Sequence, residues 1–210
     1  CGAVAVSWYG QDYTVDAIKR LIKAGVRTSI HYVLNRTTLP EAMRRLQEPD
    51  GFPEGVNAVV FLLHKPAGLG KRDEVLTAAD TKEFFGIVQK GGFPYKIGFD
   101  ACSVPGIVNY APSLKPVFFD TCEGARFSMY ITSDMVATPC SFDRRLEYGF
   151  DLALANGTIQ QAWDSSQFER FRDKLRRACP GCAKRETCMG GCPLYPEIVL
   201  CRERSEQNED

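Results

Sequence analysis

The segment CPGCAKRETCMGGCPLYPEIVLC, from Cys179 to Cys201, holds five of the nine cysteines of a 210-residue chain. Three kinds of chemistry use thiols at such spacing. Structural disulfides are disfavoured, because Cys-x-x-Cys neighbours are poor partners for each other and a cytosolic α/β chain has little use for such bridges. Zinc takes four thiolates in a tetrahedron, and Cys179, Cys182, Cys188 and Cys192 would fill one site unaided. That leaves Cys201, Cys140, Cys122 and Cys102 without a role. Iron–sulfur cubanes use the excess, since a run of close cysteines can serve three corners of one cluster while its last member crosses to another. On spacing alone, zinc and iron–sulfur both stay open.

The elements that must carry these thiols change character along the chain. AVAVS (3–7) is a short apolar run of the kind buried in a parallel sheet, and TVDAIKRLIKAG follows with Val15, Ile18, Leu21 and Ile22 as a helical stripe closed by Gly25. VRTSIHYVL (26–34) begins a second unit, whose helix TLPEAMRRLQ has Thr38 and Glu41 at capping-box spacing, Pro40 in its first turn and Leu39, Met43 and Leu46 facing inward. VNAVVFLL (56–63) leads through HKPAGLGKRD to a third helix, TKEFFGIVQKGG. Three β/α repeats imply a parallel sheet with right-handed crossovers, half of a barrel. From YKIGFDAC the periodicity breaks, and Pro105, Gly106, Pro112 and Pro116 mark an irregular connection. RFSMYITSDMVATPCSF reads as a hairpin turning near Ser133 and Asp134. After a loop with Asn156 and Gly157, DSSQFERFRDKLRRA is a helix capped by Asp164 or Ser165, with Phe168, Phe171 and Leu175 on one face.

Bulk composition excludes more than it assigns. Lys+Arg and Asp+Glu balance at 26 each, so no net field points to nucleic acid or an anionic membrane. No apolar run approaches the ~20 residues that span a bilayer, and the expected location is cytoplasmic. The chain starts at Cys1 and runs at once into a strand, which reads as a cut through a larger protein. A lipidated mature terminus is the weaker reading, because such anchors precede a polar spacer.

Cys179-x-x-Cys182-x5-Cys188-x3-Cys192, followed by Cys201 and preceded by Cys122 and Cys140, resembles the seven-cysteine pattern of the SPASM domain of radical SAM enzymes; GGCP at 190–193 is also typical. The hairpin YITSDMVATPCSF resembles the family's segment between its first two cysteines, with Met135 where the family usually carries Gly. A Gly there permits positive φ at no steric cost, so a different turn is expected here. The first half is similar to the last three β/α units of the family's partial barrel, and HKPAGLGK resembles the loop after its final strand. The resemblance implies an α/β fold: the C-terminal half of a (β/α)6 partial TIM-type barrel over residues 1–95, a connector over 96–121, an irregular SPASM domain over 122–201 and a frayed tail over 202–210.

It also implies two auxiliary 4Fe–4S clusters. Cys179, Cys182, Cys188 and Cys201 would ligate the second, and Cys122, Cys140 and Cys192 the first. Members with full ligation use a further Cys where this chain has Ser128, so the fourth ligand is either Cys102 or absent, leaving an iron open to substrate or water. The family's radical is made at a third cluster held by a Cys-x3-Cys-x-x-Cys loop, and no such motif occurs in this sequence. This chain alone is therefore expected not to cleave S-adenosylmethionine, and to be the C-terminal part of an oxidoreductase or maturase. The implied partners are the other half of the barrel, an electron donor and a peptide or protein substrate. An electron-transfer or scaffold protein that never had the radical site, and a zinc-binding interaction module, stand as alternatives.

Among the remaining residues, Ser7 falls where the family places a polar group on the cofactor ribose, and Asn35 ends the next strand with the same opportunity; a turn serine and a helix-capping asparagine are the plainer readings. Asp100 and Asp120 precede Cys102 and Cys122, and either could serve as a base during substrate oxidation or stand as a solvated loop carboxylate. His31 and His64 read as packing or loop residues. Phe118, Phe119, Phe127 and Tyr130 read as packing around the thiols.

Overall fold

The computed structural model of the chain describes residues 1–153 and 157–201, and of Phe118 the backbone alone. Asn156, the tail at 202–210 and the packing of the Phe118 side chain lie outside the described residues.

The first half is a four-stranded parallel sheet in sequential order. Its elements are β1 (Ala3–Ser7), α1 (Asp12–Lys23), β2 (Arg27–Leu34), α2 (Leu39–Gln47), β3 (Ala58–Leu63), α3 (Ala78–Val88), β4 (Lys96–Phe99) and α4 (Val104–Tyr110). The segment KIGF, expected to begin an irregular connector, instead pairs with β3 in register from Ala58↔Lys96 to Phe61↔Phe99, so the β/α alternation runs one unit further. Four residues with a central Gly98 are too few for a period; the pairing is set by the neighbouring strand.

The sheet has a closed face and an open one. Ile30, Tyr32 and Leu34 of β2 and Val59, Phe61 and Leu63 of β3 are buried, packed with Ile18, Leu46 and Phe84 of the helices. The alternate residues, His31 and Val33 among them, are half-buried or exposed. Strand β1 was expected to be buried, but it alternates between exposed and half-buried. It lies at the sheet's edge and takes a partner only in β2, so its outer side has nothing to pack on.

Helix α2 starts differently from its sequence signature. The Thr38 side chain makes no capping bond within the helix. Instead Asn35 N–H donates to Thr38 Oγ1 at 3.0 Å and Thr38 N–H donates to Asn35 Oδ1 at 2.8 Å, a reciprocal loop ahead of the helix. Glu41 is drawn away to Tyr32 Oη and Arg45 Nε. The capping box appears at α3, where Thr77 and Asp80 satisfy each other's backbone N–H.

The second half has a small antiparallel sheet, β5 (Tyr130–Ile131), β6 (Val136–Thr138) and β7 (Phe150–Asp151), followed by α5 (Ile159–Trp163), α6 (Ser166–Arg177) and the one-turn α7 (Arg185–Cys188). Ser165 caps α6, its Oγ accepting from Phe168 N–H, and Phe168, Phe171 and Leu175 form the buried face. Their burial against Tyr148, Ala125 and Ala137 makes a second core, each large side chain contributing about 1.5–3 kcal/mol. No helix among the described residues is long and apolar enough to cross a membrane.

Candidate metal centre

All nine cysteines lie among the described residues, and no disulfide joins them. Eight of the thiols fall into two groups of four. Cys102, Cys122, Cys140 and Cys192 line one cavity. Within that group Cys102 feels the charges of Cys192 and Cys122, Cys122 those of Cys192 and Cys140, and Cys140 that of Cys192. Cys188 feels chiefly Cys201, Cys179 and Cys182 among the thiols. Cys1 stands apart, exposed, with its Sγ donating to Ala3 O.

Each member of the first group arrives on a different piece of chain. Cys102 lies in the turn between β4 and α4, Cys122 before the hairpin, Cys140 just after β6 and Cys192 beyond α7. Cys102 and Cys192 pack against the core of the parallel sheet, whereas Cys122 packs against the second core. The four thiols therefore sit on the seam between the two halves. Phe171 walls the cavity from α6.

The second group is wound into one loop. Cys182 N–H bonds back to Cys179 O at 3.2 Å, and Cys188 N–H to Lys184 O at 3.0 Å. Cys179 and Met189 adopt positive φ, +50° and +51°, as do Gly181 and Gly190. A left-handed residue with a side chain costs of order 1–3 kcal/mol and persists where surroundings over-determine it. Gly190 is required on a second ground, because a Cβ there would stand 2.6 Å from Ala178 Cβ. The loop is tied to α4 by Lys184 Nζ, which donates to Asn109 Oδ1 at 2.6 Å.

Burial pushes the thiols up: Cys102 to about 12, Cys122 and Cys188 to about 11, and Cys140 in the same direction. The backbone two residues on, at Gly124, Phe142 and Gly190, hydrogen-bonds Cys122, Cys140 and Cys188 and pulls the other way. Cys188 Sγ also donates to Gly190 O at 3.7 Å; poorly solvated thiols, with backbone hydrogen bonds that favour the thiolate at Cys122 and Cys140, suit a group that brings its own positive charge. Among the described residues, no three His, Cys, Asp or Glu side chains gather closely enough to hold a single ion. A cubane asks for a wider arrangement, one thiolate on each of four irons. The space between the first four thiols is about 30 Å3, so a cluster seated there would push its walls outward; what fits is the donor set and its placement.

The other residues singled out in the sequence are spread more widely. Ser7 lies on the open face of the sheet beside His31, whereas Asn35 is buried and engaged with Thr38 and with Glu74 Oε2. Neither stands with the thiols. Asp100 does, but its carboxylate is already engaged: Oδ2 accepts from Leu63 N–H and Lys65 Nζ, both at 3.1 Å, and Oδ1 from Ser103 Oγ at 2.8 Å. Asp120 is exposed and paired with Arg126. His64 is a loop residue, its ring bonded to Lys71 O at 2.9 Å. Phe127 and Tyr130, expected to pack, are exposed. Met135 takes φ +59° despite its side chain, and its carbonyl accepts from Leu152 N–H, which holds the turn. Lys65 carried no signal in the sequence, since a lysine in a Pro–Gly loop signals solvent; its burial and its ion pair with Asp100 show otherwise.

A parallel α/β sheet is joined to an irregular unit that gathers thiols in fours, a donor set suited to metal clusters. Residues 122–189 match the SPASM iron–sulfur cluster-binding domain, and this region is what marks the chain as a SPASM-containing, iron–sulfur-binding protein. The match takes in Cys122, Cys140, Cys179, Cys182 and Cys188; Cys102, Cys192 and Cys201 lie beyond it and complete the two groups. No curated protein and no solved structure matches the chain.

Proposed function

We propose that the chain is the C-terminal part of a radical SAM enzyme, a peptide or protein maturase of the cytoplasm, whose SPASM domain holds two auxiliary 4Fe–4S clusters. The observation that carries this reading is the grouping of eight thiols into two fours, five of the eight lying within the region that matches a SPASM domain. Cys102, Cys122, Cys140 and Cys192 would hold the first cluster and Cys179, Cys182, Cys188 and Cys201 the second. When bound and ligated by four thiolates each, such clusters supply one-electron transfer.

Two features of the sheet support a partial barrel. Its face with Ser7 and His31 is left uncovered by the helices, as the inner face of a barrel is, and β1 presents a free edge on which further parallel strands could pair. In this reading those strands bring the S-adenosylmethionine cluster, and a separate protein donates electrons. A cavity of about 510 Å3 between the 66–72 loop and Arg144–Arg145 shares Phe142 and Leu194 with the first group of thiols. It offers a substrate side chain a place beside that site. The chain's own residues orient and enclose; Phe171, Phe142 and Leu194 line the cavity of the first group of thiols.

The test is the coding sequence upstream of Cys1. A Cys-x3-Cys-x-x-Cys motif together with about two further β/α units is the expected result. An authentic start immediately before Cys1 would leave an electron-transfer or scaffold protein in place of a maturase.

A further inference from the structure

Lys65 follows the end of β3 and is only 5% exposed. Its ammonium donates to Leu63 O at 2.7 Å and to Asp100 Oδ2 at 3.1 Å, and lies 5.3 Å from the centre of the Phe142 ring. An ammonium has three N–H donors. Two are committed to these oxygens. The side chain lines the cavity of Cys102, Cys122, Cys140 and Cys192. Its charge acts on Cys102 more strongly than the opposing charge of Asp100, and it reaches Cys140 as well. Burial works against the ammonium, but Asp100, Cys102 and Cys192 together outweigh that and hold it charged.

A lysine serving only a loop would leave its head group in water at little cost. This one is desolvated and anchored by a carboxylate beside four thiols. The loop is shaped to bring it there: a Cβ at Gly70 would stand 2.2 Å from Lys65 O, so only glycine lets the chain fold back over it.

The geometry points to Lys65 as a positioning residue for the first cluster, its fixed positive charge favouring the reduced state and Asp100 setting how much of that charge is felt. The inference rests on the two-cluster reading above. Potentials of iron–sulfur centres follow net charge, hydrogen bonds to the sulfurs and solvent exposure. The electron comes from an external reductant, dithionite in the test; no bond is made or broken, and Lys65 keeps its proton throughout.

The experiment is a potentiometric titration of the anaerobically reconstituted chain, followed by visible absorption and electron paramagnetic resonance, for the parent, Lys65→Met and Asp100→Asn. Removing the cation should cut the equilibrium constant for reducing the first centre at least tenfold, about 59 mV downward for a one-electron couple. Removing the carboxylate should move it upward, with the second centre unmoved in both. A merely structural role predicts no such opposition of sign. Unchanged potentials in both variants at parental iron and sulfide content, or shifts of the same sign, would overturn the inference. Should Lys65→Met take up no first cluster, Asp100→Asn decides alone: a raised potential supports the assignment, an unmoved one ends it. A parent chain without sulfide is a different result, which removes the cluster reading itself and this inference with it.

Discussion

Thr121 donates its hydroxyl to the carbonyl oxygen of Cys188 at 2.7 Å, entirely out of solvent, and so joins the residue before Cys122 to the last residue of α7. The bond links the two groups of thiols and meets a carbonyl that the end of a helix leaves without an internal partner. Thr121→Val keeps the shape and removes the donor. The expected loss is about 1–3 kcal/mol, a fall of several degrees in the melting temperature of the cluster-free chain, and Thr121→Ser should recover most of it. Equal melting temperatures for all three would mean the bond holds nothing together.

Phe171 is the wall common to the second core and the first thiol cavity. It is 1% exposed and meets Tyr148 edge-on at 5.2 Å. Phe171→Ala should cost about 3–5 kcal/mol by urea unfolding. Gly124→Ala reaches the same place from the other side, since its Cβ would stand 2.8 Å from Pro139 O and 3.1 Å from the Phe171 ring. It should be destabilised and should retain less iron after desalting, while a surface change such as Lys90→Ala should do neither.

Iron content separates the two groups. Cys102→Ala should lose about half of the reconstituted iron and sulfide, and Cys201→Ala the other half. A Cys102→Ala chain with parental iron and an unchanged resonance spectrum would remove Cys102 from the first site.

How far the sequence could be read differs by element, and the reasons are physical. The stripes Phe168, Phe171 and Leu175, and Ile18 with its neighbours, were legible because an amphipathic helix writes its packing at a local period. The grouping of the thiols came with the family resemblance; spacing alone left zinc open. Strand β4 was missed because KIGF has no period of its own, and the exposure of β1 because an apolar run does not say whether a neighbour covers it. Asn35 displaced the expected cap of α2 through a loop bond that Thr38 could equally have made elsewhere. Lys65 was invisible for a deeper reason: its burial depends on Asp100, a long-range partner in a strand-end turn that local pattern cannot supply.

The cluster-free chain should lose stability at alkaline pH. Cys102, Cys122 and Cys188 rise from an ordinary 9.0 to about 12, 11 and 11 in the folded state, chiefly through burial. Above pH 9 the unfolded chain sheds these protons first, so folding stability is whole below pH 9 and declines until the folded thiols ionise at pH 11–12. Urea midpoints should therefore fall between pH 8.5 and 10.5, about the range in which the two states differ, and a chain with the eight clustered cysteines changed to serine should lack that slope.

The central claim is tested most directly by iron, acid-labile sulfide and zinc per chain after anaerobic purification and reconstitution. The account predicts about eight irons with matching sulfide and little zinc, the content of two cubanes. One or two zincs per chain with no sulfide would contradict it, and the thiols would then be a structural knot.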